Sequence, residues 1–250
     1  MEYTISENYS LPSKGLIYTK PVESHVELRS MTTREEMKRQ SSTTTPYKML
    51  SDIIEACMIE KPAIKVYDMC LQDFEYLLHK LRVVSYGPNY KVTAGCPHCG
   101  KTFEATINLD ELEVKEYDEK VANDMLTFTL PISNKVITLN YKTPRMLDTI
   151  TLAKKEFEKK NPNVDFDPSI MLELRYLIAS VDGNVLNYAE LDSFIQKLSV
   201  RDMKFIQDKS VQFEKSFGID YTLMLTCDKC GGDVLSFFRI GPEFFRPSNY

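Results

Sequence analysis

The sequence predicts an α+β fold built from two similar halves, and three observations carry that prediction. Cys96-Pro97-His98-Cys99-Gly100 and Cys227-Asp228-Lys229-Cys230-Gly231 are Cys-x-x-Cys-Gly clips in a chain that has six cysteines in all. Strand-forming residues flank each clip, at 90–93 and 103–107 around the first and at 221–225 and 234–238 around the second. A hairpin, a capped helix and further helices precede each strand-clip-strand unit in the same order.

A tight turn of this form aims two thiolates at one metal, and the glycine after the second cysteine supplies the positive φ that the turn requires. One clip provides half of a tetrahedral site and two provide all of it. Cys96, Cys99, Cys227 and Cys230 are therefore expected to hold a single structural zinc ion as a four-cysteine zinc ribbon, pinning parts of the chain 131 residues apart (227 − 96). Four thiolates leave no open position for water or substrate, which argues against a catalytic metal. Cys-x-x-Cys is also a redox motif, but that motif sits where a strand runs into a helix, and the flanks here read as hairpins. His98, inside the first clip, is expected to face solvent rather than the metal.

Taken in order, residues 1–30 read as extended, with a turn at Ser10-Leu11-Pro12-Ser13-Lys14-Gly15 and a hairpin-like pairing of 16–18 with 26–28. Thr32 followed three residues later by Glu35 is a capping box that starts a helix. Residues 40–45 are a polar break. Helices follow at 46–58 and 71–85, where Phe74, Leu77, Leu78 and Leu81 fall at helical spacing, and Gly87-Pro88 ends the second. After the first clip, strands are expected at 112–117, 126–130 and 136–141. Thr143-Pro144 opens a long charged helix that ends near Asn161-Pro162, and helices at 169–180, 188–198 and 201–217 follow before Gly218.

Laid side by side, the two series match. Val26-Glu27-Leu28 through Thr32 and Arg34 resembles Ile137-Thr138-Leu139 through Thr143 and Arg145. Pro46 with Met49-Leu50 resembles Pro168 with Met171-Leu172, and Asp73-Phe74-Glu75-Tyr76 resembles Asp202-Met203-Lys204-Phe205. Gly87 precedes Cys96 by nine residues (96 − 87) and Gly218 precedes Cys227 by nine (227 − 218). The offset grows from 111 (143 − 32) to 131 (227 − 96), which asks only for insertions in the second half. An internal duplication is expected, with residues 1–110 as the first half, carrying an N-terminal arm and the first clip. Residues 111–250 form the second, carrying the other clip and an aromatic C-terminal tail.

Composition narrows the function classes. The net charge of −5 among 250 residues argues against broad nucleic-acid binding, which relies on clustered Lys and Arg. No apolar run approaches the ~20 residues that span a bilayer, and the first residues do not read as a signal peptide. Six cysteines, four of them in metal spacing, suit a reducing compartment, so the chain is expected to fold in the cytoplasm. Cys57 and Cys70 lie among apolar helical residues and read as core side chains. His25, His79 and His98 stand in separate segments with no nucleophile or metal triad, and no glycine-rich phosphate loop occurs, so no catalytic residue is assigned. The run from Lys154 to Lys160 reads as an exposed helix face with i,i+4 pairs.

The C-terminal Gly241-Pro242-Glu243-Phe244-Phe245-Arg246-Pro247 places two aromatics and an arginine between prolines. Phe244, Phe245 and Arg246 are either partner-binding anchors or, for the aromatics, side chains tucked onto their own core. The N-terminal arm is either a strand of the chain's own sheet or one lent to a neighbour.

Leu11-Pro12-Ser13-Lys14-Gly15-Leu16-Ile17-Tyr18 with Val26-Glu27-Leu28-Arg29-Ser30-Met31-Thr32-Thr33-Arg34-Glu35-Glu36 resembles the opening of the baseplate protein family of T-even-type contractile-tailed bacteriophages. Leu81-Arg82-Val83-Val84-Ser85-Tyr86-Gly87, the first clip and the ending Phe244-Phe245-Arg246-Pro247 are similar to the same family. The resemblance implies a non-enzymatic role in the central hub of the virion tail baseplate, as a hub subunit or a hub assembly factor. Its partners would be other baseplate or tail proteins. The opening is also similar to short tail assembly chaperones, which would make the tape-measure protein a transient partner. From another class, a zinc-ribbon nucleic-acid-binding or transcription factor would need a basic face, and the acidic composition counts against it.

Overall fold

The computed structural model describes residues 4–238 and 242–245. The architecture is α+β, with helices packed around several small antiparallel sheets. Strands β1 (Ser6–Ser10) and β2 (His25–Arg29) pair from Ser6↔Arg29 to Ser10↔His25. The N-terminal arm is thus a strand of the chain's own sheet. The expected pairing of 16–18 with β2 is not formed. Lys14 and Gly15 take φ of 52° and 75°, coiling the Leu-Pro turn, and Tyr18 goes into the core instead, where its hydroxyl donates to Asp73 (2.7 Å).

Helix α1 (Thr33–Arg39) carries the expected capping box, with Thr32 Oγ1 accepting from the Arg34 N–H and the Thr32 N–H donating to Glu35 (2.8 Å). Helix α2 (Pro46–Cys57) and helix α3 (Leu71–Tyr86) follow near their expected bounds. Leu28 and Met58 form an antiparallel bridge, so the residue after α2 returns to the outer edge of β2. Strands β3 (Asn89–Gly95) and β4 (Thr102–Asn108) make the first clip hairpin.

Strand β5 (Val114–Lys115) leads into helix α4 (Glu119–Leu126), which sequence periodicity missed. Its signal was local: Asp118 caps it, accepting from the Lys120 N–H (2.9 Å), with Glu119 in the first turn. Strand β6 (Thr127–Thr129) and strand β7 (Val136–Leu139) then pair as a hairpin. Helix α5 (Pro144–Lys160) and helix α6 (Ser169–Leu177) come next, and α6 ends earlier than the periodicity implied. Strand β8 (Ile178–Val181) takes over and pairs with the outer edge of β7. Helix α7 (Tyr188–Lys197), helix α8 (Val200–Glu214) and the short strand β9 (Gly218–Ile219) lead to the second clip hairpin, β10 (Thr222–Thr226) with β11 (Asp233–Phe237).

A buried aspartate holds each Leu-Pro turn. Asp73, in the first turn of α3, accepts from the Ser13 N–H (3.0 Å) and from the Ser13 hydroxyl. Asp202, in the first turn of α8, accepts from Ile132 and Ser133 N–H (2.9 and 3.0 Å). Each carboxylate stands three residues after the helix N-cap, Cys70 and Ser199.

The largest core gathers α2, α3 and the first hairpin with Phe213 and Phe217 from the end of α8. Cys57 and Cys70 are fully buried there, and neither is in a disulfide. Phe244 and Phe245 join the same core at 1% and 2% exposure, in a 3-10 turn rather than an extended segment. Of the two arrangements expected, the rings take the one tucked onto the chain's own core, Phe244 stacking on His79 (6.0 Å) and packing against Tyr90 (5.5 Å). Arg246 lies outside the described residues. A second core joins β7, β8, α6, α7 and α8 through Ile137, Leu174, Leu177, Leu191 and Ile206.

Candidate metal centre

The two clips close in the same way. In the first, Cys96 N–H donates to the Lys101 carbonyl (2.9 Å) and Gly100 N–H to the Cys96 carbonyl (2.9 Å). In the second, Cys227 N–H donates to Gly232 (2.9 Å) and Gly231 N–H to Cys227 (2.8 Å). Gly100 and Gly231 have φ of 69° and 73°, the left-handed region expected of that position. Beneath the turns, a third core formed by Ala94, Phe103, Leu223, Leu225 and Val234 seats one hairpin against the other. That apolar contact brings the clips together.

Cys96, Cys99, Cys227 and Cys230 converge with all four sulfurs within 4.8 Å of one another. Across the clips, Cys96 Sγ is 3.6 Å from Cys230 Sγ and Cys99 Sγ is 3.9 Å from Cys227 Sγ. Zinc-thiolate bonds of about 2.3 Å in a tetrahedron put sulfurs about 3.8 Å apart, so the donor set and spacing are compatible with a metal ion. Disulfides need about 2.05 Å, and all four thiols are free.

The electrostatics point the same way. Burial opposes ionisation of Cys96, but the Cys99 and His98 backbone N–H groups and the neighbouring thiols hold it down to about 6. At Cys230 the Gly232 backbone N–H favours the thiolate, yet the Cys96 sulfur, burial and the other two thiols push it up to about 12. Four sulfurs this close do not all carry charge without a cation between them.

His98 is exposed, as expected, but it is not idle. Its Nε2–H donates to the Asp233 carbonyl (2.9 Å), tying the first clip to the second hairpin. The ring lies against Gly232, where a Cβ would come within 2.6 Å of it. Sequence reading missed this contact, because nothing near either residue in the chain signals the other. His79 and His25 take up other roles: His79 is buried with Nε2 on the Leu109 carbonyl (3.0 Å), and His25 bonds to Ser24 (2.9 Å).

The model of the family described as T4 bacteriophage base plate protein matches residues 3–246. The chain belongs to that family. No curated protein and no solved structure matches it. As a member of the T4-type baseplate family it is a phage baseplate protein of the virion tail, with other baseplate proteins as its neighbours. Among the described residues of this baseplate protein, no helix is long and apolar enough to cross a membrane.

Proposed function

We propose that this baseplate protein is a non-enzymatic structural or assembly component of the baseplate hub, acting through protein-protein contacts. Its body is two related halves, residues 1–110 and 111–250, closed on each other by one structural zinc ion held by Cys96, Cys99, Cys227 and Cys230. The observation that carries this reading is the meeting, within 4.8 Å, of four sulfurs from two identically folded clips. Zinc supplies a mechanical constraint here, worth ~10 kcal/mol or more on the scale of zinc-finger peptides.

The two-half reading draws support from matched details. The bridge Leu28↔Met58 corresponds to Leu139↔Ile178, and the pair Tyr9↔Val26 corresponds to Phe128↔Ile137. Threonine caps open the helix after each hairpin, Thr32 and Thr143. The aspartate grip on the Leu-Pro turn occurs in both, and Gly87 and Gly218 take φ of 84° and 97° at matching places.

Two measurements test the proposal. Elemental analysis of the purified chain is expected to give one zinc per polypeptide, and a chain free of metal would overturn the staple. Mass spectrometry of washed mature particles is expected to find the chain in the virion. Detection only in assembly intermediates would make it an assembly factor, and absence from both would end the hub reading.

A further inference from the structure

The halves differ at one strand edge, and the difference leaves backbone hydrogen-bonding groups without a ladder. In the second half β7 is paired on both sides, with Ile137↔Val181 and Thr138↔Ser180 on its outer edge. Asp182 completes that edge, its N–H donating to the Val136 carbonyl (2.7 Å) and its carboxylate accepting from the Val136 N–H (2.9 Å). In the first half the outer edge of β2 has the bridge to Met58 and one bond from Ile59 N–H to the Glu27 carbonyl (3.0 Å). There the returning strand stops. Strand β8 shifts register by one residue between the partners of Leu139 and Thr138, whereas Ile59 directly follows Met58 opposite Glu27, so Lys61 takes the place of Asp182. Pro62, the next residue, has no N–H with which to continue a ladder.

Alternation along β2 turns the N–H and C=O of His25 to the same side as the Glu27 carbonyl. Among the described residues no partner crosses that edge to either group, whereas Val136, the counterpart of His25, has both satisfied. A groove of about 570 Å³ opens at this place, between β2 and residues 60–63. Buried Val26 and Met58 line it, and Glu23, Glu27 and Glu60 stand around it against Lys61.

We propose that this groove docks an extended segment of a partner protein, which adds as a strand to the free edge of β2 and carries a lysine or arginine among the three glutamates. The strand form of the occupant follows from the second half, where the chain's own Val181 and Asp182 carry the ladder along the matching stretch of edge. The basic character follows from the carboxylates. The inference rests on the two-half reading above.

The test uses the full chain and a fluorescein-labelled octapeptide alternating lysine with valine. By anisotropy it is expected to bind roughly tenfold more tightly than the same peptide with glutamate for lysine, and N-methylation of alternate amides is expected to remove binding. Hydrogen exchange at the His25 amide is expected to slow when the lysine peptide is added. The double variant Glu23→Lys, Glu60→Lys is expected to weaken binding by a similar factor with an unchanged melting temperature. Equal affinity for the two peptides, binding of the N-methylated form, or unchanged exchange at His25 would each overturn the proposal. So would self-association of the chain that the double variant abolishes, since the occupant would then be a second copy. The aspartate substitutions described below judge the two-half reading by itself, so a failure of docking and a failure of duplication are told apart.

Discussion

Asp73 and Asp202 are buried carboxylates whose accepted bonds go to turns about sixty or seventy residues earlier in the chain, at Ser13 and at Ile132 and Ser133. Removing either leaves buried donors unpaired, which costs about 2–3 kcal/mol. Asp73→Ala and Asp202→Ala are each expected to lose that much in urea unfolding; a loss of a few tenths at one site and the full amount at the other would count against equivalent halves. A second residue sets a pH dependence. Burial and the neighbouring Glu214 carboxylate push the Glu75 carboxyl up to about 7. A folded-state value above the unfolded one favours the fold at low pH, and that contribution is lost as pH rises through about 7. His79, held down to about 4 by burial, has the opposite slope over part of this window, but it is common to wild type and variant. Glu75→Gln is therefore expected to gain stability relative to wild type between pH 5 and pH 8, as measured by denaturation at both. An equal difference at the two pH values would remove Glu75 from the account.

At the scale of elements, caps separate what is local from what is not. The capping boxes of α1 and α7 are readable because cap and third residue are neighbours in the chain: Thr32 with Glu35, and Asn187 with Glu190. Helix α2 has no side-chain cap of its own, since Thr45 makes no side-chain bond to it. Its N-terminus is held instead by buried Asp148 of α5, which accepts from Lys48 N–H (2.8 Å) and from the Tyr67 hydroxyl (3.1 Å). Asp148→Ala is expected to cost about 1–2 kcal/mol, while Thr45→Ala stays within about 0.5 kcal/mol of wild type. The reverse order in thermal unfolding would show that Thr45, not Asp148, is the cap. Strand β8 escaped sequence reading for a related reason. Its residues continue the apolar pattern of α6, and only the free edge of β7 turns Ile178–Val181 into a strand.

Over the whole molecule, the clips add a further join between parts of the chain that packing already connects, since Leu126 packs against both the first and second cores and Ile107, Leu112 and Phe238 against both the first and third. The first core draws on α2, α3 and the end of α8, the second on α6 to α8 with β7 and β8, and the third lies under the sulfurs. The third core, a small one, seats the two hairpins against each other beneath the sulfurs. Cys227→Ser, or prolonged treatment with a strong chelator, is expected to lower the melting temperature by several degrees at least and to impair assembly in the same step. A variant that melts as wild type does and still enters particles would refute the staple.

Four cysteines in two like clips, the turns that carry them and the start of each long helix were legible in the amino-acid order alone, because each depends on residues within a few positions of one another. The family resemblance was legible too, and the match over residues 3–246 agrees with it. Tertiary structure decided the strand that pairs with β2, the aspartate grips, the enclosure of Phe244 and Phe245, and the edge of β2 at His25. Each of these depends on groups far apart in the chain, which meet only once burial of apolar surface has brought the elements together.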